Sequence, residues 1–410
     1  MTAFAKIACA GAVASFAGAT WAEELEVTHW WTSGGEAAAV AEFAKAFDAT
    51  GNKWVDGAIA GSGSTARPIM ISRITGGDPM AATQFNHGRQ AEELVEAGLM
   101  RPITEVAEAE GWANIVATPG LLDSCTLDGE LYCVPVNIHS WQWLWLSNKA
   151  FEEAGVPVPT TWDEFVAAGP ALEAAGKVPM ALGKQPWQAM GAFKVLVLNL
   201  GGPELYTKVF GDKDTDAAAG PEMAAVWKAA DDMRKLAVGS NVQEWNQATS
   251  MVINGQAGGQ IMGDWAQGEF QVAGQVAGTD YTCLPGLGAQ TYLSTAGDAI
   301  YFPLLRDEGK SAAQLELASV LFSPEAQLAF NTKKGSLPVR NDLDLSTAND
   351  CMRKGLEILA EGNIVPDTDQ LISPDTNTQL QDLMIQFISD MNMTPDAAQA
   401  RFAEIIGDAD

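Results

Sequence analysis

The sequence predicts an α/β protein of two lobes joined by several chain crossovers. Three observations lead there. Strand-like and helix-like patterns alternate from residue 25 to residue 97, as in a mostly parallel sheet flanked by helices. From Lys149 onward helical spacing dominates, with short extended runs between the helices. No repeat, coiled coil or low-complexity linker interrupts mid-chain, which favours lobes sharing crossovers over separate beads. A length of 410 residues suits two or three domains of ordinary size.

The elements follow in order. LEVTHWW (25–31) reads as a first strand running into Thr32-Ser33-Gly34-Gly35, and Glu36 to Asp48 then has helical spacing with Phe43 and Phe47 on one face. Residues 53–61 form a second extended run, leading to a Gly/Ser loop and a helix that carries Arg67 to Ile74. Met80 to Phe85 is a third strand, before a helix from Ala91 to Ala97. Residues 131–146 are a long extended region in which Pro135 marks a crossing point between lobes. Helical spacing then covers 149–154, 162–174, 191–200, 221–236 and 247–253. A short strand at 259–262 and a turn-rich stretch at 281–305 follow. The C-terminal part is helical at 312–321, 324–331, 351–359, 378–391 and 395–406. The expected division is 23–135 plus 295–335 for an N-terminal lobe, and 136–294 plus 336–410 for a C-terminal lobe.

Composition narrows the function. Lys and Arg number 24 against 52 Asp and Glu, a net charge of −28, which argues against a nucleic-acid binder and against adhesion to anionic lipid. The hydrophobic share of 47% supports a large core. Residues 1–22 read as an export signal: Lys6, an apolar run from Ile7 to Ala19, and small residues at Thr20 and Ala22 before the cleavage point. The run is too short to span a bilayer. Export to the periplasm is the expectation.

Beyond Cys9, the cysteines are Cys125, Cys133, Cys283 and Cys351, an even number that allows three pairings. Asp128-Gly129 is a hairpin turn signal between Cys125 and Cys133. A bridge across that hairpin leaves Cys283 with Cys351; four buried free thiols are the plainer alternative, and the weaker one in an oxidising compartment.

Several chemical motifs fail on inspection. Gly61-Ser62-Gly63-Ser64-Thr65-Ala66 resembles a dinucleotide loop, but Asp78 lies in a Gly-Gly-Asp-Pro turn and poorly meets the need for an acid about 20 residues on. A flexible loop opening a helix is the better reading. Asp212-Lys213-Asp214-Thr215-Asp216 starts like a calcium loop, yet Ala217 replaces the glycine and Met223 the bidentate glutamate. The three histidines, His29, His87 and His139, lack zinc spacing. No metal, cofactor or catalytic residue is expected.

Tryptophan stands out, with 12 of 13 beyond residue 22. Adjacent Trp30 and Trp31 cannot share one face of a regular strand, but a strand end bending into a loop can turn both toward a cleft. Aromatic faces beside carboxylates, amides and lysine suit a neutral polyol, although two packing tryptophans would look the same. Trp141, Trp143 and Trp145 alternate and read as core or lobe interface. Trp245 and Trp265 stand beside polar residues near element ends, and core packing explains them as well.

Taken together, EVTHWWTSGGE (26–36), STARPIMISRITGGDPMAATQFNHG (64–88) and YCVPVNIHSWQWLWLSNKAFEEAGVPVPTTWDEF (132–165) resemble the bacterial extracellular solute-binding proteins of family 1. IMGDWAQGEF (261–270), AGDAIYFP (296–303) and KKGSLPVR (333–340) extend the likeness over the whole mature chain. These are sugar receptors of ABC importers, and the glucose/mannose type is the most similar. The resemblance implies the periplasmic-binding-protein fold, with a ligand cleft between hinged lobes. It places Trp30, Trp31 and Glu36 on the N-lobe side, Trp245 and Trp265 opposite, Asp298 as an acceptor and Lys334 as a donor near the hinge. Gln84 belongs to the same set. Asn86 stands where relatives commonly carry His or Lys, and Asn377 is the counterpart of a histidine, so the sugar's identity is where this chain departs. The implied partners are a small sugar and the membrane subunits of an ABC permease, with the receptor a monomer. A secreted glycosidase, or a receptor for an oligosaccharide or other solute, is the alternative.

Overall fold

The structure is a computed structural model describing residues 22–409; the predicted signal peptide lies outside these residues except for Ala22. The first lobe is built on a five-stranded sheet. In spatial order its strands are Lys53–Ala58, Glu24–His29, Ala82–Asn86, Asp298–Tyr301 and Cys133–Pro135. The first three run parallel, with Glu24 opposite Lys53 and Val27 opposite Ala82. Asp298–Tyr301 returns from late in the chain and pairs antiparallel on both sides, so the sheet is mixed rather than mostly parallel. Leu25 and Val27 of the strand Glu24–His29 are fully buried.

The helix Gly34–Asp48 begins at Ser33, whose hydroxyl accepts from the Glu36 N–H while the Glu36 carboxylate reaches back to the Ser33 N–H. Its Ala39, Val40, Phe43 and Phe47 keep one helical face buried, and Phe43 stacks on Phe330 of the helix Pro324–Lys334 at 4.2 Å. Each such phenylalanine contributes about 1.5–3 kcal/mol by leaving water. That packing fixes where Glu36 and Lys334 point.

The second lobe carries a four-stranded sheet, ordered Tyr281–Pro285, Trp143–Ser147, Ala257–Ile261 and Val178–Met180. Helices Trp162–Ala174, Pro186–Leu196, Pro221–Leu236, Pro374–Ser389 and Pro395–Gly407 pack around it, with Trp227 set edge-on to Phe387 and Phe402. Buried Arg234 donates to the carbonyls of Phe387, Asp390 and Met393, tying two helices to the final turn.

Two hydrophobic cores result, and their border corrects the expected one. Leu337, Val339, Ala348, Met352 and Ile358 pack into the first core, not the second. The chain rejoins the second core at Val365. The cause is the amphipathic helix Asp350–Ala360, which turns Met352 and Ile358 to the first lobe while Cys351 faces the second.

The cysteines pair Cys125 with Cys133 and Cys283 with Cys351, with Cα atoms 5.2 and 5.9 Å apart. Asp128 and Gly129 both have positive φ, as a two-residue hairpin turn requires. The second bridge fastens the helix that straddles both lobes. Near the crossovers Ile138 pairs with Leu337, His139 with Ala296, and Leu293–Ser294 runs parallel to Ile364–Val365.

Candidate functional site

A cavity of about 350 Å³ opens where the lobes face one another. From the first lobe come Trp30, Ser33, Glu36, Arg67, Asn86 and Gln90, together with Asp298 and Lys334. The second lobe supplies Trp141, Trp187, Lys194, Glu244, Trp245 and Trp265. His139, Asp369 and Asn377 line it as well.

One wall is aromatic. Trp265 meets Trp141 edge-on with centroids 5.0 Å apart, Trp245 at 6.5 Å and Trp187 at 6.3 Å. Glycine makes this close approach possible: a Cβ on Gly191 would lie 2.1 Å from the Trp141 ring, and one on Gly263 would lie 2.1 Å from Trp265. Trp30 stands across the cavity from this wall.

One end of the cavity is ionic. Lys334 closes its helix with Nζ 3.1 Å from Asp298 and 3.7 Å from Glu36, all three side chains being almost wholly buried. Asn137 donates to Asp298 Oδ2 at 2.8 Å, and its own oxygen accepts the Asp298 N–H. Burial works to raise the Asp298 carboxyl, but Lys334, His139 and the amide of Asn137 outweigh it and hold it far below the usual carboxylate range. Burial lowers Lys334, yet Asp298 and Glu36 more than compensate, so its ammonium is held above the ordinary value. For Glu36 burial wins over Lys334 and the carboxyl is pushed up. The end therefore offers a firm anion, a firm cation and an acid that keeps its proton more readily than usual.

Next to it, starting from Asn86, which is the register partner of Asp298 on the neighbouring strand, is a knot of amides. Asp369 accepts from Asn86 at 2.7 Å, from Gln90 at 3.1 Å and from Asn377 at 3.0 Å. Asn86 ends a first-lobe strand, whereas Asn377 lies on the helix Pro374–Ser389 of the second lobe. Lys194 meanwhile donates to both oxygens of Asp367 and to Thr368, which fixes the segment bearing Asp369. The lobes also touch directly: the Gly35 N–H donates to Glu269 at 2.7 Å, and a Cβ on Gly35 would come within 2.5 Å of the Gly268 backbone.

Eight of the ten residues singled out from sequence line the cavity. The other two, Trp31 and Gln84, stand behind its wall. Trp31 is 1% exposed, packed on His29 and Phe330 with the Lys334 ammonium 5.3 Å from its ring. Past the end of the strand Glu24–His29, Trp31 turns inward onto the ring of His29 while Trp30 lines the cavity. Gln84 is fully buried; it accepts the Trp30 N–H at 2.9 Å and donates to Asp298 at 2.6 Å. Both position the lining rather than form it. Trp141, read from sequence as core or lobe interface, lines the cavity because the chain is crossing between lobes there, two residues before the strand Trp143–Ser147 starts. Arg67, Trp187, Lys194, Glu244 and Asp369 carried no local signal. Trp187 alone could have been suspected, as a tryptophan in the first turn of a helix.

A sequence model of bacterial extracellular solute-binding proteins matches residues 31–328. The chain belongs to that family. A probable sugar-binding periplasmic protein of Brucella melitensis is 38% identical over 88% of this chain and 86% of its own. One of the same description from Rhizobium meliloti is 39% identical over 83% and 82%. Among solved structures, the bacterial solute receptor AcbH, which has an exclusive preference for β-D-galactopyranose, superposes with a TM-score of 0.76 at 21% identity, covering 94% of this chain and 98% of that one. Among the described residues no helix is long and apolar enough to cross a membrane.

Proposed function

We propose that this solute-binding protein is a periplasmic receptor for a monosaccharide of the glucose/mannose class, which it delivers to the permease of an ABC importer. The observation that carries the reading is the cavity itself: four second-lobe tryptophans and Trp30 line it, together with Glu36, Asp298 and Lys334 and the amides beside them. Indoles cover the apolar C–H faces of a sugar ring, and charged and amide groups bond its hydroxyls. A volume of about 350 Å³ is at the lower end of the range for ligand pockets, which favours a single sugar over a long oligosaccharide. In this reading the carboxylates act as hydrogen-bond acceptors and no bond in the ligand is broken. Contacts from both lobes favour the closed form by their difference in affinity between open and closed states. A micromolar ligand supplies about 8 kcal/mol in all, and only the second-lobe share drives closure.

Calorimetric titration of the sugar-stripped protein with glucose, mannose, galactose, xylose and maltose tests it. Saturable one-to-one binding of a hexose, abolished in Trp265→Ala, is the expected result. Silence across the panel, or tighter binding of maltose than of any monosaccharide, would refute the monosaccharide reading.

A further inference from the structure

Three cations line the cavity, and two are already matched by carboxylates. Lys334 has Asp298 and Glu36, and Lys194 has Asp367 at 3.0 Å. Arg67 differs. Among the described residues no carboxylate oxygen lies within 4 Å of it, and its one side-chain hydrogen bond runs from Nη1 to Gln90 Oε1 at 3.3 Å. A guanidinium carries five N–H donors in a planar fork, so most of this fork has no hydrogen-bond partner among the described residues, and Arg67 lines the cavity.

Its placement has a cause in the Gly/Ser loop. Arg67 lies on the helix Ser62–Thr75, with its guanidinium carbon 5.8 Å from the centroid of the Trp30 ring. A Cβ on Gly63 would fall 2.9 Å from Arg67 Nη1 and 3.4 Å from Trp30. Glycine at 63 is thus what lets the guanidinium settle between the loop and the indole. The motif that fails as a phosphate loop has a physical purpose here.

Beside Arg67 stand acceptors. Asp369 holds the amide N–H groups of Asn86, Gln90 and Asn377, and the Asn86 and Asn377 oxygens make no hydrogen bond to other described residues. A ligand edge meeting this subsite must accept from Arg67 and donate to the asparagines. Adjacent hydroxyls do both. A carboxylate would satisfy the fork but set its oxygens against Asp369 and two amide oxygens, all acceptors.

Resting on the sugar-receptor reading above, we propose that Arg67 reads a pair of neighbouring hydroxyls on the sugar and so determines which epimer the cleft accepts, while Asp369 and its amides exclude the corresponding sugar acid. Arg67 stands outside the residues that the family resemblance assigns to the ligand.

The test is a titration matrix. Wild type, Arg67→Met and Arg67→Lys are each titrated with glucose, mannose and galactose, with the 2-, 3-, 4- and 6-deoxy forms of glucose, and with glucuronate. In wild type one epimer should bind best and glucuronate poorly. Arg67→Met should weaken that epimer about 10- to 100-fold, as expected for bonds to a charged donor. It should also bring the three epimers to similar affinity. A deoxy sugar lacking a hydroxyl read by Arg67 should lose little more in the variant than in wild type, so the double-mutant cycle is non-additive at two adjacent positions. Arg67→Lys, with the charge but no fork, should fall between. A uniform loss over every sugar, or additivity at all four deoxy positions, would overturn the specificity role while leaving the receptor reading intact. Glucuronate binding tighter than the parent hexose would overturn the exclusion of acids. Wild type binding nothing in the matrix would sink the sugar reading itself, and this inference with it. Unchanged melting temperatures keep a folding defect from imitating the result.

Discussion

In one cluster of the cleft Asp298, Lys334 and Glu36 all stand on elements of the first lobe, whereas in the cluster beside it Asn86 and Gln90 reach Asn377 only through Asp369. The first cluster is complete before the lobes meet, because its strand and two helices share one core. The second is assembled from both lobes and a crossover segment. On the proposed function the difference is a division of labour: the ionic cluster, complete within one lobe, would capture the ligand in the open state, and the amides gathered on the Asp369 carboxylate would register closure.

Breaking the anchor should have the largest effect. Lys334→Met leaves Asp298 and Glu36 buried without their cation, and the loss of one partner of such a pair costs about 3–5 kcal/mol. Urea unfolding should show that loss, and Asp298→Asn in the same chain should restore part of it. An additive double variant would mean the ion pair is not the anchor. Next comes the contact between lobes. Gly35→Ala drives a methyl into backbone atoms of Gly268 and Glu269, which cannot rotate away. The protein should stay folded but more open by small-angle scattering, with ligand binding at least about tenfold weaker, or roughly 1.4 kcal/mol.

Asp369→Asn sharpens the comparison from the amide cluster. It turns the acceptor of three amide hydrogen bonds into a group that must itself donate. A loss of about 1–3 kcal/mol in closure is expected, seen as weaker binding with little change in melting temperature. Were Asp369→Asn to destabilise the fold as strongly as Lys334→Met, the two clusters would not differ in the way described.

The smallest effect lies outside both clusters. Asp264 is buried, accepts from the Ser140 N–H and hydroxyl, and its carboxyl is pushed by burial up to about 7. A raised carboxyl stabilises the folded state fully below its unfolded value of 3.8, and that contribution is lost as pH rises through about 7. Wild type should therefore lose about 1 kcal/mol of stability between pH 6 and pH 7 that Asp264→Asn does not lose. Parallel melting curves for the two proteins over that interval would refute this origin.

The disulfide that staples the turn was legible because Asp128-Gly129 and two flanking cysteines form a local pattern. Gly34–Asp48 was legible too, since its cap and apolar face lie within one short stretch. The ionic end followed from the resemblance, residue by residue. Trp31 shows where resemblance and structure part: a strand end bending into a loop could have turned both tryptophans to the cleft, but the Trp31 indole turned inward and lies against the Lys334 ammonium.

Sequence by itself carried the acidic character, the alternation of strands and helices in the first lobe and the hairpin between Cys125 and Cys133, because each is written in neighbouring residues or in composition. Tertiary structure alone decided that Asp369 joins Asn86 to Asn377, that Arg67 lies over Trp30, and that the helix Asp350–Ala360 packs into the first core. Those contacts join residues far apart in the chain. Whether a side chain lines a cavity or supports its wall depends on which distant backbone lies behind it, and no local pattern of residues carries that information.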